Sequence, residues 1–400
     1  MSVRTVRPVR TAIAAATVAA ALTATVLVPA TAATAAPAKP RHEATRQALD
    51  AAVAAGVPGV VAGARDGRTA PWTGTAGERG GRDHYRVGSI TKTFVATVLL
   101  QLQAEGRLDL DDPVEKHLPG VVRGNGHDGR KVTVRQLLNH TSGIYSYTED
   151  PGLTAKVFGP GFLEHRYDTW TPRQLVAVAM THEPDFPPGT SWHYSNTNFV
   201  LAGMVIEKVT GRPYGKEIER RVLKPLKLRA TSVPGTTPTL PRPSSRAYST
   251  LQDEAGPGAK VYDVTELNPS MAGAAGEMIS DSNDLQTFYR ALLKGRLLPP
   301  AEMKEMTTAV PVSPDFPDFG YGLGLMRQKL SCGKEVWGHG GGIHGSNSQA
   351  QATRDGEHTL AANFNADWTG DGQTVVEAEF CGTVPKAAPK DAPKGAPQLR

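Results

Sequence analysis

Residues 87–94 read VGSITKTF, so Lys92 follows Ser89 by three positions. On a helix that spacing places both side chains on one face, one turn apart. A hydroxyl beside an amine makes a nucleophile and its activator, provided the amine is neutral. An amine in an apolar setting gives up its proton most readily. A helix N-terminus adds partial positive charge that favours an ester oxyanion. The plainer use of Ser89 is to cap the helix that follows, with Lys92 in solvent. The pattern returns as Ser331-Cys-Gly-Lys334, where Gly333 between strand-like runs reads as a hairpin turn.

Two further stretches carry chemistry. In WHYSNTNF, Tyr194 can take up and return a proton, and Asn196 can hydrogen-bond a substrate amide. The alternative is a Ser or Asn helix cap with Tyr194 as packing. In VWGHGGGIHG, the glycines let the backbone approach a ligand, and His339 can present an imidazole to an anion or carbonyl. A flexible strand end with a surface histidine is the alternative. Gly340, Gly342 and Gly345 fit G-x-G-x-x-G, but strand-like sequence follows where a dinucleotide site needs a helix. HGGG without any G-x-S-x-G does not make a lipase site.

The elements that must position these residues are legible. RHEATRQALDAAVAAG is helical and stops at Gly56 and Pro58; two short strands follow around Asp66-Gly67. SITKTFVATVLLQLQAEG is a strong helix ended by Gly106. From about 107 to 310 the chain is mostly helix and loop, with helices predicted in TVRQLLNH, TPRQLVAVAM, NTNFVLAGMVIEKVTG and SDSNDLQTFYRALLKG. The last part alternates as strands, with a turn at Asp355-Gly356 and a helix in GQTVVEAEFCG. The expected fold is α+β. An antiparallel β-sheet takes its first strands from the N-terminus and the rest from the C-terminus, helices flank it, and a mostly helical subdomain is inserted. The site is expected between the two parts.

Together and in order, Ser89-x-x-Lys92, Tyr194-x-Asn196 and His339-Gly340-Gly341 resemble the penicillin-recognising serine hydrolases, which include class C β-lactamases and D-alanyl-D-alanine carboxypeptidases. GRLDLDDPVEKHLPG, VTVRQLLNHTSGI, GYGLGL and LSCGKEVWGHGG extend the likeness over roughly His42 to Gly382. It is greatest to secreted actinobacterial DD-carboxypeptidases. The resemblance implies a β-lactamase/transpeptidase-like fold and an acyl-enzyme on Ser89. Lys92 and Tyr194 share the proton traffic, Asn196 holds the acyl side chain, and His339, Gly340 and Gly341 line the substrate. The backbone N–H groups of Ser89 and Gly342 form the oxyanion hole. It also implies a disulfide between Cys332 and Cys381, no cofactor and no metal.

Three positions depart from that pattern. Gly340 replaces a threonine whose hydroxyl would meet a substrate carboxylate. Met326 stands where the relatives have a carboxylate-binding arginine, and neighbouring Arg327 points to the other strand face. Met271 replaces a tryptophan. The losses lie on the substrate side of the chemistry. The resemblance therefore points first to a DD-carboxypeptidase-like hydrolase of cell-wall peptides or β-lactams. The alternative is an esterase or D-amino-acid amidase or aminopeptidase on the same scaffold. A non-catalytic β-lactam- or envelope-binding protein has no need of Ser, Lys, Tyr and Asn together.

Composition bounds the rest. Residues 1–36 have three arginines, an apolar run and small residues near Ala33-Thr34-Ala35, as a secretory signal peptide has. The hydrolase domain then spans 37–382, and 383–400 is a Pro/Ala/Lys tail expected to be disordered. Leader and tail contribute +3 each to the formal charge of +5, which leaves −1 for the body and gives no case for a nucleic-acid-binding body. The two cysteines of an exported chain favour a disulfide. The mature protein is expected to be secreted, free of the membrane, monomeric, and to act on a small-molecule or peptide substrate.

Overall fold

The computed structural model describes residues 42–251 and 259–384; the expected signal peptide and all but the first two residues of the expected tail lie outside them. The main sheet has eight strands: β1 Gly59–Asp66, β2 Trp72–Gly77, β3 Val310–Pro311, β4 Phe319–Tyr321, β5 Met326–Lys329, β6 Glu335–Ile343, β7 Ser346–Thr353 and β8 His358–Phe364. Their order is β2-β1-β8-β7-β6-β5-β4-β3, antiparallel throughout. The first two strands thus complete a sheet begun by the last six, as the sequence implies, and the fold is the expected mixed α/β class.

Alternation along the strands buries both faces. In β1, Val60, Ala62 and Ala64 join one core with Leu360, Ala362 and Phe364 of β8, while Val61 and Ala361 enter the other. The first core is covered by α1 Glu43–Ala54 and by the C-terminal helix, Gly372–Cys381. The second, larger core holds α2 Thr91–Ala104 and α3 Asn196–Thr210. It also holds α4 Ser282–Leu293, which Asp281 caps.

The helix α2 is buried on nearly every side, from Thr91 through Leu100 and at Leu102. A helix without a polar face cannot sit at the surface. Here it is the centre around which the other helices and the sheet pack. Thr93 donates to the Gly324 carbonyl at 2.7 Å, tying it to the β4–β5 turn. α3 closes on Gly211 in the left-handed conformation, as its sequence predicts.

The Ser331–Lys334 copy is a hairpin turn between β5 and β6. Leu330 N–H donates to the Lys334 carbonyl at 2.8 Å, Ser331 Oγ donates to Glu377 at 2.6 Å, and Lys334 Nζ to the Phe380 carbonyl at 2.6 Å. The Cys332–Cys381 disulfide, with Cα atoms 5.7 Å apart, fastens the same turn to the C-terminal helix. These bonds occupy both side chains of the second copy.

Strand β6 runs on past its neighbour. β5 pairs with it only as far as Gly338, while β7 follows it to Ile343. Beyond Gly338 its free edge meets the turn that carries Ser89. A Cβ on Gly341 would lie 2.0 Å from the Val87 carbonyl oxygen and 2.9 Å from Ser89 N; one on Gly88, where φ is +53°, would lie 2.8 Å from Gly342 N. Backbone-to-backbone contact at that distance admits only glycine. At Gly340, by contrast, the nearest atom is the end of the Gln349 side chain, 3.3 Å away. Gly341→Ala is therefore expected to destabilise the fold by about 1–3 kcal/mol and to abolish turnover. Gly340→Ala is expected to keep both within a few-fold, and urea unfolding with steady-state assays of the two variants checks the contrast.

Candidate active site

Ser89 lies in a single 3₁₀ turn, Gly88–Ile90, that leads directly into α2. Its hydroxyl caps nothing. It takes a hydrogen bond from Lys92 Nζ at 2.9 Å. Lys92 is wholly buried, and its other two partners are Asn196 Oδ1 at 2.7 Å and the Ala275 carbonyl at 2.7 Å. The helix-cap readings of Ser89 and Asn196 therefore give way to a shared contact at one amine.

The geometry fixes what a neutral Lys92 would do. Asn196 Oδ1 and Ala275 O can only accept, so they take the two N–H bonds of a neutral amine. The remaining lone pair then faces the Ser89 hydroxyl. Burial drives Lys92 well below the ordinary lysine value, and none of its three hydrogen-bond partners is a carboxylate. The rings of Tyr194 and Phe199, 4.8 and 5.5 Å away, give a cation about 0.5–2 kcal/mol. That offsets only part of a desolvation cost of several kcal/mol.

The first turn of α3 is tied to residues 146–148. Asn196 N–H donates to Ser146 Oγ at 3.1 Å and its side-chain amide to Thr148 Oγ1 at 3.0 Å. Tyr147 N–H reaches Thr197 Oγ1 at 3.0 Å. Tyr194 is buried at the same place. Burial pushes its phenol well above the usual value, with the Ser89 hydroxyl pulling the other way.

His339 is fully buried on β6. Its Nδ1 meets the Gly340 carbonyl at 2.5 Å, which can only accept, so Nδ1 carries the proton and Nε2 accepts from Tyr321 O–H at 2.8 Å. Burial, with Lys92 nearby, lowers its pKa to about 3, so it stays neutral. Its side chain forms the wall behind Tyr194, the ring centroids 6.4 Å apart. Gly342 is exposed while Gly341 is buried against the Ser89 turn. Met326 pairs with Gly338, and Arg327 with Trp337; the ion pair of Arg327 is a long one to Glu335, 3.9 Å. Met271 is buried, its carbonyl taken by Tyr147 O–H at 2.8 Å.

Sequence reasoning did not single out Ala275, Ser146, Thr148 or His140 as site residues. Ala275 contributes only a carbonyl, which no side-chain pattern reveals. Ser146, Thr148 and His140 follow or sit within the stretch NHTSGI, visible as a likeness but without a role.

A family model described as Beta-lactamase matches residues 42–375. Among solved structures, a D-stereospecific amidohydrolase from Streptomyces sp. is 78% identical with a TM-score of 0.84, covering 86% of this chain and 100% of that one. The D-amino acid amidase from Ochrobactrum anthropi SV3, solved with L-phenylalanine, is 30% identical with a TM-score of 0.70, covering 82% and 92%. Protein flp of Staphylococcus aureus (strain COL) is 32% identical over 183 residues, 42% of this chain and 34% of its own length. The putative penicillin-binding protein PbpX of Bacillus subtilis (strain 168) is 27% identical over 231 residues, 56% and 50%. The matches to these two curated relatives span about a third and a half of their length. The two solved structures are a D-stereospecific amidohydrolase and a D-amino acid amidase, where the sequence alone put DD-carboxypeptidases first. With its fold, its Ser89–Lys92 contact and a family match running through almost the whole described chain, this protein belongs to the β-lactamase family of serine hydrolases.

Proposed function

We propose that this chain is an exported D-stereospecific amidohydrolase that works through an ester on Ser89. The observation that carries the chemistry is the Lys92 amine, 2.9 Å from Ser89 Oγ with its other bonds given to acceptors. Lys92 takes the hydroxyl proton as Ser89 Oγ attacks the amide carbonyl. The oxyanion is received by the backbone N–H groups of Ser89 and Gly342. Tyr194, held as a phenol by burial, gives its proton to the departing amine. The C–N bond breaks, an acyl-Ser89 ester remains, and water hydrolyses it with Lys92 and Tyr194 restored. Asn196, fixed between Lys92 and Thr148, orients the acyl group.

The substrate side supports an amide over a peptide with a free C-terminal carboxylate. Met326 and Gly340 supply neither cation nor hydroxyl, and Arg327, the next residue along the strand from Met326, faces the opposite side of the sheet. Two charge-assisted hydrogen bonds lost at about 1.5–3 kcal/mol each amount to about 10²-fold or more in selectivity. The likeness to the Streptomyces amidohydrolase and the Ochrobactrum amidase supports the same choice.

Ser89→Ala is expected to fold normally by thermal unfolding and to lose D-phenylalanine amide hydrolysis by about 10⁴-fold or more. Surviving turnover would remove the acyl-enzyme. On wild type, the D-amide should outrun both its L-isomer and a D-Ala-D-Ala peptide; faster release of terminal D-Ala would return the protein to the carboxypeptidases. The base must be neutral to act, so kcat/KM should rise with pH through the lowered Lys92 ionisation and level off well below an ordinary lysine pKa. A profile still climbing at pH 10 would assign the base elsewhere.

A further inference from the structure

His140 takes no part in the steps above, yet it is fully buried against the residues that do. Its φ is +61°, a left-handed conformation that few non-glycine residues adopt. The His193 N–H donates to the His140 carbonyl at 3.1 Å, and the Ser195 N–H donates to His140 Nδ1 at 3.1 Å. One residue thus grips the chain immediately before and immediately after Tyr194. The imidazole lies on the Tyr194 ring, centroids 4.3 Å apart and 34° between planes. Phe199 at 5.4 Å and Tyr321 at 4.7 Å hold it from its other sides, and Tyr321 is the hydroxyl bonded to His339.

We propose that His140 is the positioning residue for Tyr194, fixing through its Nδ1 acceptor, its carbonyl and its ring face where the phenol stands beside Ser89. The inference rests on the reading of Tyr194 as the proton donor. The tautomer follows from the contacts. The Asn198 amide also turns its N–H toward Nδ1, at 3.3 Å, since its Oδ1 takes the Ser142 hydroxyl at 2.7 Å. Two donors converge on Nδ1, so that nitrogen is unprotonated and the ring is neutral. Burial and the nearby protonated His193 disfavour the imidazolium, which would put a proton against the Ser195 N–H.

Asparagine places an acceptor where Nδ1 stands and tolerates positive φ; glutamine reaches only to the Nε2 position. With D-phenylalanine amide, His140→Asn is expected to keep kcat within about tenfold of wild type, whereas His140→Gln loses about 10²-fold in kcat with KM nearly unchanged. In a Tyr194→Phe background, His140→Gln should add little further loss, because the group it positions is gone. Equal activity of the Asn and Gln variants, or losses that multiply in the double variant, would overturn the proposal. Full activity of Tyr194→Phe alone would instead strike the proton-donor reading, and turnover by Ser89→Ala the acyl-enzyme itself. Near-ultraviolet circular dichroism establishes that each variant is folded.

Discussion

The site depends on one amine kept out of water. Lys92 projects from the stretch of α2 that is buried throughout, Thr91 to Leu100, so its ammonium form finds no hydration, and its hydrogen-bond partners include no carboxylate. A neutral amine between two obligate acceptors and one hydroxyl has a single direction for its lone pair, toward Ser89. The same burial that lowers the Lys92 ammonium pKa raises that of the Tyr194 phenol. Two groups with neighbouring ordinary pKa values are driven in opposite directions by one cause, because one is charged when protonated and the other when deprotonated. The acid and base roles proposed for them call for no third ionisable group.

The scaffold serves that burial. The long antiparallel sheet presents β6 past the end of β5, so a strand edge is available to the Ser89 turn, and glycines at 88 and 341 allow the two backbones to touch. The insertion between β2 and β3 brings α3 and the 145–148 loop to the other side of Lys92. Three pieces of chain far apart in sequence meet at atoms of one side chain. The disulfide and the Ser331–Glu377 and Lys334–Phe380 bonds act at the remote end of β5 and β6, where they fasten the hairpin to the C-terminal helix.

In the proposed reaction, chemistry and selectivity fall to different residues. Ser89 and Lys92 are buried and hydrogen-bonded to each other, and Tyr194 is buried beside them. The groups that would greet a substrate carboxylate are the ones replaced, at Gly340 and Met326. A family can change its substrate at such positions because they touch the reaction only through binding, whereas a change at Lys92 or Asn196 would leave a buried polar atom without its partner.

The sequence by itself determined the element types, both Asp-Gly turns, the order of strands around a helical insertion, and the Ser-Lys, Tyr-Asn and His-Gly-Gly stretches as candidates. These are local patterns: periodicity, turn residues and short spacings are written within a dozen positions. It also marked the second Ser-x-x-Lys as a turn, from Gly333 and its strand-like flanks. What it left open was whether Ser89 and Asn196 cap helices and whether His339 faces solvent. Only the tertiary structure decided these, since each answer lies in atoms distant along the chain. Asn196 is 104 residues from Lys92, and the Ala275 carbonyl 183. A side chain's protonation is set by what surrounds it in space, and no spacing within one segment encodes that.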